Sequence, residues 1–265
     1  MRPSADSDAH RGRVQDAFTR QAAAFEDRRY NRVFTADAAW LFDGLVLSGD
    51  ELVLDVAAGT GHAARLLAPA VRAVIAVDAT AEMLSRGCAA ARAEGHANIV
   101  FATADAAALP FVDESFDLVV CRFALHHFEH PHGPLREMRR CLRPAGRLVV
   151  ADLVASADPG IAAIQNELER RRDPSHARMV DAGELTRLIA GLGCEEVSVQ
   201  SRTTERPLAP WLQQAGAEPD AAREIRRRLE AELDGGSVTG FAPRRVAGEL
   251  WFTQTFAVCL ATTPS

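Results

Sequence analysis

The stretch VLDVAAGTGHAA, residues 53–64, decides the fold of this chain. Its first, apolar part has the length of a buried strand and reaches Asp55, and Gly59 and Gly61 follow in the next turn. Glycine lets the backbone turn tightly and approach a ligand, because no Cβ stands in the way. The pattern predicts a helix from His62 onward, whose first N–H groups have no intrahelical partner and attract negative charge. The stretch therefore predicts a nucleotide-sized ligand site.

Further along the chain, apolar runs of strand length alternate with helical patterns. Between residues 52 and 154 the runs are LVLDV, AVIAVD, NIVFAT, FDLVVCR and GRLVVADLV. Near-continuous apolar strands joined by helices are typical of a parallel sheet that is covered on both faces. The pattern predicts an α/β protein whose glycine turn lies at one edge of that sheet.

Composition narrows the class of protein. With 265 residues, 48% hydrophobic and 25% charged, the chain can bury a full core as a single domain, 1–265. Its formal net charge of −6 disfavours a nucleic-acid partner, which requires a basic face. All 30 basic residues are arginine, so chemistry that depends on lysine is excluded. No signal-peptide pattern and no run of about 18 apolar residues occurs, so we expect a cytoplasmic protein with no membrane partner.

The glycine turn alone is compatible with two cofactor classes. GTGHAA fits the loose dinucleotide pattern G-x-G-x-x-G/A, and Asp78 ends the next strand as a ribose acceptor, as in a nicotinamide oxidoreductase. The segments downstream distinguish the classes, because Asp105 and the run ALPFVDESFD have no role in a nicotinamide enzyme.

Four segments, in order, carry a family resemblance. They are VLDVAAGTG, AVDATAEML, ADAAALPFVDESFDLVVCRFALHHF and LREMRRCLRPAGRLVVADL, and together they extend from residue 53 to residue 153. They resemble class I S-adenosylmethionine-dependent methyltransferases of the ubiquinone/menaquinone-methyltransferase-like group. The resemblance implies a Rossmann-like seven-stranded sheet of order 3-2-1-4-5-7-6, with the last strand, WFTQTFAVCLA, antiparallel. It also implies S-adenosylmethionine as cofactor and a small-molecule methyl acceptor.

The cofactor site is predicted from the resemblance and from the chemistry of the residues. Asp78 can accept hydrogen bonds from the ribose hydroxyls, with Ala79 and Met83 packed on the adenine; the alternative is a helix N-cap with a core methionine. Asp105 is placed to meet the adenine amino group; the alternative is a solvated aspartate at a turn. Asp55 lies in an apolar strand, where an unpaired carboxylate is costly, so it should bind loop N–H groups or the methionine ammonium of the cofactor. The other predicted members are Phe25, Ala57, Gly59, Thr60, Gly61, Ala104, Ala106 and Arg122.

For two members of this set, Ala57 and Phe25, the predicted role differs from the family pattern or has an alternative. Ala57 stands where the commonest family pattern has glycine, so the approach of the backbone to the cofactor should differ slightly. Phe25, by resemblance, closes over the methionine end of the cofactor; ordinary core packing is its alternative.

The segment HHFEHPH concentrates histidine around Glu129. Its spacing belongs to a loop and not to one face of a helix, and the five cysteines are scattered singly, so no metal site is predicted. In the resembling family this loop borders the methyl-transfer site. His127 is therefore the first candidate for a base or substrate-orienting group, with a packing histidine as the alternative. The second candidates come from the predicted lid. His176 is a candidate catalytic or substrate residue, and Arg178 is a candidate substrate residue.

Three segments with helical patterns lie outside the strand alternation: 14–46, 158–182 and 206–245. They are predicted to form a lid over a cofactor-binding core, 48–155. Residues before about Gly12 are polar and are expected to fray.

The predicted reaction is in-line methyl transfer to an oxygen, nitrogen or carbon nucleophile of a small, partly apolar molecule. Positioning can supply much of the acceleration, and a base is needed only if the nucleophile loses a proton. The alternatives are a quinone-precursor C-methyltransferase, a non-catalytic S-adenosylmethionine-binding protein and a nicotinamide oxidoreductase.

Overall fold

The computed structural model describes residues 5–27 and 38–265. Within the predicted lid segment 14–46, residues 28–37 lie outside the described residues.

A mixed sheet of eight strands organises the chain. The strands are β1 (Leu52–Val56), β2 (Ala73–Asp78), β3 (Ile99–Thr103), β4 (Phe116–Arg122), β5 (Leu142–Val154), β6 (Glu195–Pro207), β7 (Arg244–Val246) and β8 (Glu249–Thr262). The order is β3-β2-β1-β4-β5-β8-β6, with β7 paired to β8. Strands β1 to β5 are parallel, whereas β8 is antiparallel to β5 and β6. The predicted fold class, the order of the main strands and the antiparallel last strand are thus confirmed.

The extra strand β7 was not predicted, because its hairpin signal is weak in the sequence. Val246 pairs with Glu249, and between them Ala247 and Gly248 have φ of 49° and 86°. Positive φ at both central residues is typical of a type I′ turn, which usually carries Asn-Gly, Asp-Gly or Gly-Gly. Because alanine stands at the first central position, the sequence lacks the usual signal for this turn.

The helices are α1 (Ala5–Phe25), α2 (His62–Leu67), α3 (Ala81–Ala93), α4 (His132–Cys141), α5 (Pro159–Arg172), α6 (Ala182–Ala190), α7 (Leu208–Gln214) and α8 (Pro219–Leu233). Helix α2 begins at His62, as the glycine turn predicted. In the start that was expected to fray, residues 1–4 lie outside the described residues. From Ala5 onward the expectation is wrong, because these residues belong to α1, and His10 and Arg11 make tertiary contacts. Among the helices that the structure describes, none combines the length and apolarity needed to span a membrane.

Alternate residues of the central strands pack on opposite faces of the sheet. Leu54 and Val119 join one apolar core with α4 and α6, while Val53 and Val120 join a second core with α2. All four side chains are fully buried. Burial on both faces explains why β1 and β4 are continuous apolar runs instead of alternating ones.

The C-terminal additions have a core of their own. It contains Leu168 of α5, Trp211 of α7, Leu229 of α8 and Phe252 of β8. The rings of Trp211 and Phe252 lie 4.7 Å apart between centroids. The predicted lid segments 158–182 and 206–245 are therefore packed together beside β8.

Candidate cofactor and acceptor site

A cavity of about 1260 Å³ lies at the carboxyl ends of the parallel strands. Its wall includes the residues that follow β1, β2, β3 and β4. Helix α1 covers one side: Gln15 Nε2 donates to the Ala79 carbonyl at 3.2 Å, and Phe18 and Phe25 line the cavity. The cavity lies at the sheet edge where the glycine turn predicted a ligand site.

The glycine turn requires both of its glycines. Gly59 and Gly61 have φ of 56° and 71°, in the left-handed region that favours glycine. A Cβ on Gly61 would lie 2.7 Å from the Phe101 ring, and one on Gly59 would lie 3.2 Å from the end of Met83. Ala57 has φ of 54°, so alanine holds a conformation that glycine adopts more readily.

The Asp78 carboxylate lines the cavity at the end of β2. Its Oδ2 accepts from the N–H of Gly59 and its Oδ1 from the N–H of Thr80, both at 2.8 Å. Burial raises the pKa of Asp78, and these N–H groups oppose the rise. Each oxygen is thus held in place by the backbone and keeps lone-pair capacity for a hydroxyl in the cavity.

Asp55 lies behind the cavity wall, wholly buried at the end of β1. Its Oδ2 accepts from the N–H of Ala64 at 3.0 Å, so it holds the first turn of α2. Its Oδ1 has no hydrogen-bond partner within the part of the chain that the structure describes. Burial raises the pKa of Asp55 to about 7. Burial also lowers the pKa of Arg122 to about 10, which the Asp55 charge opposes.

Asp105 follows β3 and is bound from two sides. Arg11 of α1 donates to its Oδ2 at 3.2 Å, and the N–H of Ala107 donates to its Oδ1 at 2.8 Å. Ten predicted cofactor residues line the cavity: Phe25, Ala57, Gly59, Asp78, Ala79, Met83, Ala104, Asp105, Ala106 and Arg122. Asp55, Thr60 and Gly61 lie behind that lining and are buried.

Two neighbouring histidines after β4 have different environments. The His126 ring donates from Nδ1 to Oδ1 of Asp152 on β5 at 2.5 Å, and the His126 backbone N–H donates to Oδ2 at 2.9 Å. Burial alone would lower the pKa of His126, but the carboxylates around it, Asp152 first and then Glu169 and Asp173, together raise it. Because Nδ1 is engaged, Nε2 is the nitrogen through which His126 can act on a molecule in the cavity that the ring lines.

His127, the predicted first candidate, also lines the cavity. Its Nδ1 donates to the Ser175 carbonyl at 3.0 Å, its backbone carbonyl accepts from His10 Nε2 at 2.9 Å, and its ring meets Phe18 edge-on at 4.9 Å. Burial, and then the neighbouring His126, lower the pKa of His127 to about 4. His127 is therefore neutral near neutral pH.

The structure places the second candidates outside the cavity lining. His176 is 3% exposed, and its Nε2 hydrogen bonds to Asn166 Oδ1 at 3.0 Å. Burial and the neighbouring histidines lower the pKa of His176. Arg178 lies at the surface and binds both carboxylate oxygens of Glu184.

A group of polar side chains that the sequence did not indicate lies on the side of the cavity near β6 and β8, where Arg172, Arg206 and Gln214 line it. Arg206 of β6, 3% exposed, donates to Gln254 Oε1 at 2.7 Å and to Gln214 Oε1 at 2.9 Å. Gln254 donates to Glu169 at 2.7 Å, and Arg172 binds the other oxygen of Glu169 at 3.0 Å. Burial, with the charge of Arg172, lowers the pKa of Arg206 to about 9.

A sequence signal existed for only one of the missed residues. Asp152 stands in the apolar run VVADLV, where an acid without a partner is costly, as for Asp55. No local pattern marks Arg172 or Arg206, because arginines are frequent in this chain and their place in the cavity depends on the fold.

Comparisons with known proteins agree with this architecture. The model of the family described as "Methyltransferase domain" matches residues 54–150. The uncharacterized methyltransferase YcgJ of Bacillus subtilis is 34% identical over 182 residues, which are 69% of this chain and 72% of YcgJ. A demethylmenaquinone methyltransferase of Corynebacterium urealyticum is 32% identical over 177 residues, covering 60% of this chain and 74% of that protein. The crystal structure of BH2331, a putative methyltransferase from Bacillus halodurans, superposes with a TM-score of 0.80 at 28% identity, covering 87% of this chain and 100% of that one.

The chain belongs to the class I S-adenosylmethionine-dependent methyltransferases. The predicted family, enzyme class and cofactor are confirmed. The cavity of this methyltransferase fits the cofactor on its own features as well. The turn at Gly59 leaves no Cβ in the wall, and the Asp78 carboxylate is exposed to the cavity at the adjacent strand end.

Proposed function

We propose that this methyltransferase methylates a small, partly apolar molecule at a hydroxyl or similarly acidic group, with His126 as general base. The observation that carries the proposal is the His126–Asp152 pair, in which His126 lines the cavity and the buried Asp152 lies behind it. A carboxylate behind an imidazole fixes its tautomer and stabilises the imidazolium that forms when a proton is taken up.

The cofactor is assigned to the β1–β3 side of the cavity. There Asp78 receives the ribose hydroxyls, the turn at Gly59 lets the backbone approach, Met83 and Ala79 pack on the adenine, and Asp105 accepts from the adenine amino group. Support comes from the order of these residues along successive strand ends, which is where α/β sheets bind ligands. Asp105 must exchange some of its contact with Arg11 for the adenine.

When bound, S-adenosylmethionine supplies an electrophilic methyl group on a good leaving group. The chain's own residues then have to orient the acceptor, exclude water and remove a proton. His126 Nε2 accepts that proton while Asp152 holds Nδ1. His127, neutral and fixed by Ser175 and His10, forms the wall beside it and orients the acceptor.

The elements that cover the cavity support a small molecule as the methyl acceptor. Helix α1 and the C-terminal additions both contribute to the lining, and several lining side chains are apolar, among them Phe18, Phe123, Phe128 and Leu153. Such a covered, partly apolar cavity is typical of small-molecule sites.

The test combines binding with turnover. Calorimetry should show binding of S-adenosylhomocysteine and S-adenosylmethionine and none of NAD. Purified protein should then release S-adenosylhomocysteine in the presence of phenolic test acceptors, with the methylated product identified by mass spectrometry. Cofactor binding with no methyl transfer to any acceptor in a broad phenol, thiol and amine panel would contradict the proposal and favour a non-catalytic binding protein.

C-methylation of a quinone precursor is the second candidate, because several relatives carry the name demethylmenaquinone methyltransferase. A general base also suits this reaction, since a ring hydroxyl must lose its proton to direct the methyl group to carbon. Incubation with 1,4-naphthohydroquinone separates the two candidates. Nuclear magnetic resonance of the product shows a C-methyl signal for this candidate and an O-methyl signal for the first.

A further inference from the structure

The order of the strands limits where the acceptor can bind. The proposed cofactor residues follow β1, β2 and β3, and His126 follows β4. The cavity continues beyond His126, where Arg172, Asp173 and Arg206 line it. With the cofactor on one side of the base, the acceptor has to occupy this other side.

A loop on this side is fixed against both histidines. The loop, residues 173–181, joins α5 to α6. The N–H of Ala177 donates to the His126 carbonyl at 2.9 Å. The Ser175 carbonyl accepts from His127 Nδ1 at 3.0 Å. The start of the loop therefore has a fixed position beside the proposed base.

Asp173, the first residue of this loop, contributes a carboxylate to the cavity lining. The residue is only 6% exposed. Its Oδ1 accepts from the N–H and the hydroxyl of Ser175 at 2.9 and 2.6 Å. Its Oδ2 receives no hydrogen bond from residues 5–27 or 38–265, the part of the chain that the structure describes. One oxygen is thus anchored, and the other can accept from a molecule in the cavity.

The surroundings of Asp173 favour the ionised form. Burial alone would raise the pKa of Asp173, but His127, Arg172 and the bonds from Ser175 together lower it. An ionised oxygen in a buried place is costly unless a donor satisfies it. A ligand that brings a donor to Oδ2 therefore gains a charge-assisted hydrogen bond.

The neighbouring charges favour a neutral donor over a cationic one. Arg172 and Arg206 are matched in number by Glu169 and Asp173, and Arg172 binds Glu169 directly at 3.0 Å. A hydroxyl group leaves this balance unchanged. An ammonium group would add a buried positive charge close to two arginines, at a desolvation cost that one carboxylate has to offset.

We infer that the methyl acceptor carries two hydroxyl groups, of which one loses its proton to His126 and the other donates to Asp173 Oδ2. The acceptor is thus a phenol with a second hydroxyl. The apolar side chains of Phe123 and Leu153 in the lining suit the part between the two hydroxyls. This inference rests on the proposed function and adds its substrate class.

Asp173→Asn tests the second hydroxyl and keeps the loop in place. The amide oxygen can retain both Ser175 bonds at the Oδ1 position, which puts the NH2 group at the Oδ2 position. An NH2 group donates and cannot accept. The variant should remain folded, because it removes a negative charge from the C-terminal end of α5. Asp234→Asn is the matched control, since it makes the same change at the exposed C-terminal end of α8.

Each probe is a diol paired with the ether that lacks the second donor. The pairs are 1,4-naphthohydroquinone with 4-methoxy-1-naphthol, and 4-(2-hydroxyethyl)phenol with 4-(2-methoxyethyl)phenol. Tyramine replaces the second hydroxyl by an ammonium group. Calorimetry under nitrogen measures binding to protein saturated with S-adenosylhomocysteine, and kcat/KM is measured with S-adenosylmethionine.

In the wild type and in Asp234→Asn, the better diol should exceed its ether by roughly tenfold to hundredfold in both quantities. Tyramine should bind less tightly than 4-(2-hydroxyethyl)phenol. In Asp173→Asn the ratio of diol to ether should fall to about one. A preference that came only from the bulk of the ether methyl group would persist in this variant.

Four results would overturn the inference: equal binding of diol and ether by the wild type, an unchanged ratio in Asp173→Asn, tighter binding of tyramine than of the neutral diol, or no binding of any probe. If S-adenosylhomocysteine still binds in those cases and some monohydroxy phenol is methylated, the proposed function stands and only the second hydroxyl fails. Should Asp173→Asn not fold, Asp173→Glu replaces it. Its longer side chain displaces the accepting oxygen, so the ratio should again fall, and an unchanged ratio contradicts the inference.

Discussion

The proposed cofactor side of the cavity, at the ends of β1 to β3, and the proposed acceptor side, beyond His126 toward β6 and β8, are built differently. On the proposed cofactor side, Asp78 and Asp105 each follow one strand end closely. Backbone N–H groups of the adjoining turns bind both carboxylates, and Arg11 is the side chain that adds a bond to Asp105. On the acceptor side, His126 depends on Asp152, and Arg206 depends on side chains from other elements. A site made from strand ends and local turns can be recognised in short motifs, whereas a site made from a network of distant side chains cannot.

The largest effect is expected on the acceptor side, at the proposed base. His126→Gln should lower turnover by about 100- to 10,000-fold, the usual scale for loss of a general base. Affinity for S-adenosylhomocysteine should stay unchanged, because the cofactor residues lie on the other side. Steady-state kinetics and calorimetry check both parts.

His96→Gln is the control, since His96 does not line the cavity and pairs with Glu94. If His126→Gln keeps near wild-type turnover while His127→Gln loses it, the roles of the two histidines are reversed.

The next effect concerns the apolar core that carries the acceptor side. Trp211 is 1% exposed and packs on Phe252. Trp211→Ala should lower the free energy of unfolding by about 3–5 kcal/mol, because it leaves a cavity and removes the surface on which Arg172 stacks. Urea unfolding measures the loss, with the half-exposed Leu233→Ala as control. Equal losses in the two variants would mean that the C-terminal additions are not a packed core.

On the cofactor side, Asp78→Ala should weaken binding of S-adenosylhomocysteine by about 1.5–3 kcal/mol, the range for hydrogen bonds to a charged group. The variant also removes the acceptor of the Gly59 and Thr80 N–H groups, so circular dichroism should accompany calorimetry. The exposed Asp50→Ala is the control. Unchanged affinity in a folded Asp78→Ala protein would place the ribose elsewhere.

The two neighbouring histidines should also separate in their pH dependence. Asp152 raises the pKa of His126, and a base works only when deprotonated, so the rate should rise with pH through a limb above 6.5. In Asp152→Asn the limb should move to lower pH, because burial without the carboxylate lowers the pKa. His127, with its pKa lowered to about 4, adds no limb near neutrality. If the rise of the rate with pH occurs at the same pH in Asp152→Asn as in the wild type, His126 is not the group whose titration causes it.

The smallest effect is expected within the glycine turn itself. Ala57→Gly relieves the left-handed φ of 54° but increases the entropy of the unfolded chain, so the free energy of unfolding should change by no more than about 1 kcal/mol. Thermal unfolding and calorimetry measure stability and cofactor affinity. A large change in affinity would show that the backbone at residue 57 contacts the cofactor more closely than the turn requires.

The features that the sequence predicted correctly are those that depend on one short segment, and most of the features that it missed depend on contacts between distant segments. The parallel strands, α2 and the glycine turn were predicted because each depends on residues within one short segment. The hairpin at Ala247 and the helical start at Ala5 were not, because an unusual turn residue and tertiary contacts of α1 decided them. In the segment HHFEHPH the loop and its position were predicted, but the roles of its first two histidines depend on Asp152 and Ser175, which lie far along the chain.

By itself the sequence determined the fold class, because apolar periodicity and glycine conformations act over a few residues and appear directly in the order of the chain. The strand order and the family followed from the resemblance of four short segments to known methyltransferases. Only the tertiary structure decided which histidine faces a carboxylate, that His176 and Arg178 stand outside the cavity, and that Arg206 and Arg172 line it. These properties depend on burial and on distances between side chains from separate elements, and the pKa values and hydrogen bonds that they produce exist only after the sheet has brought those elements together.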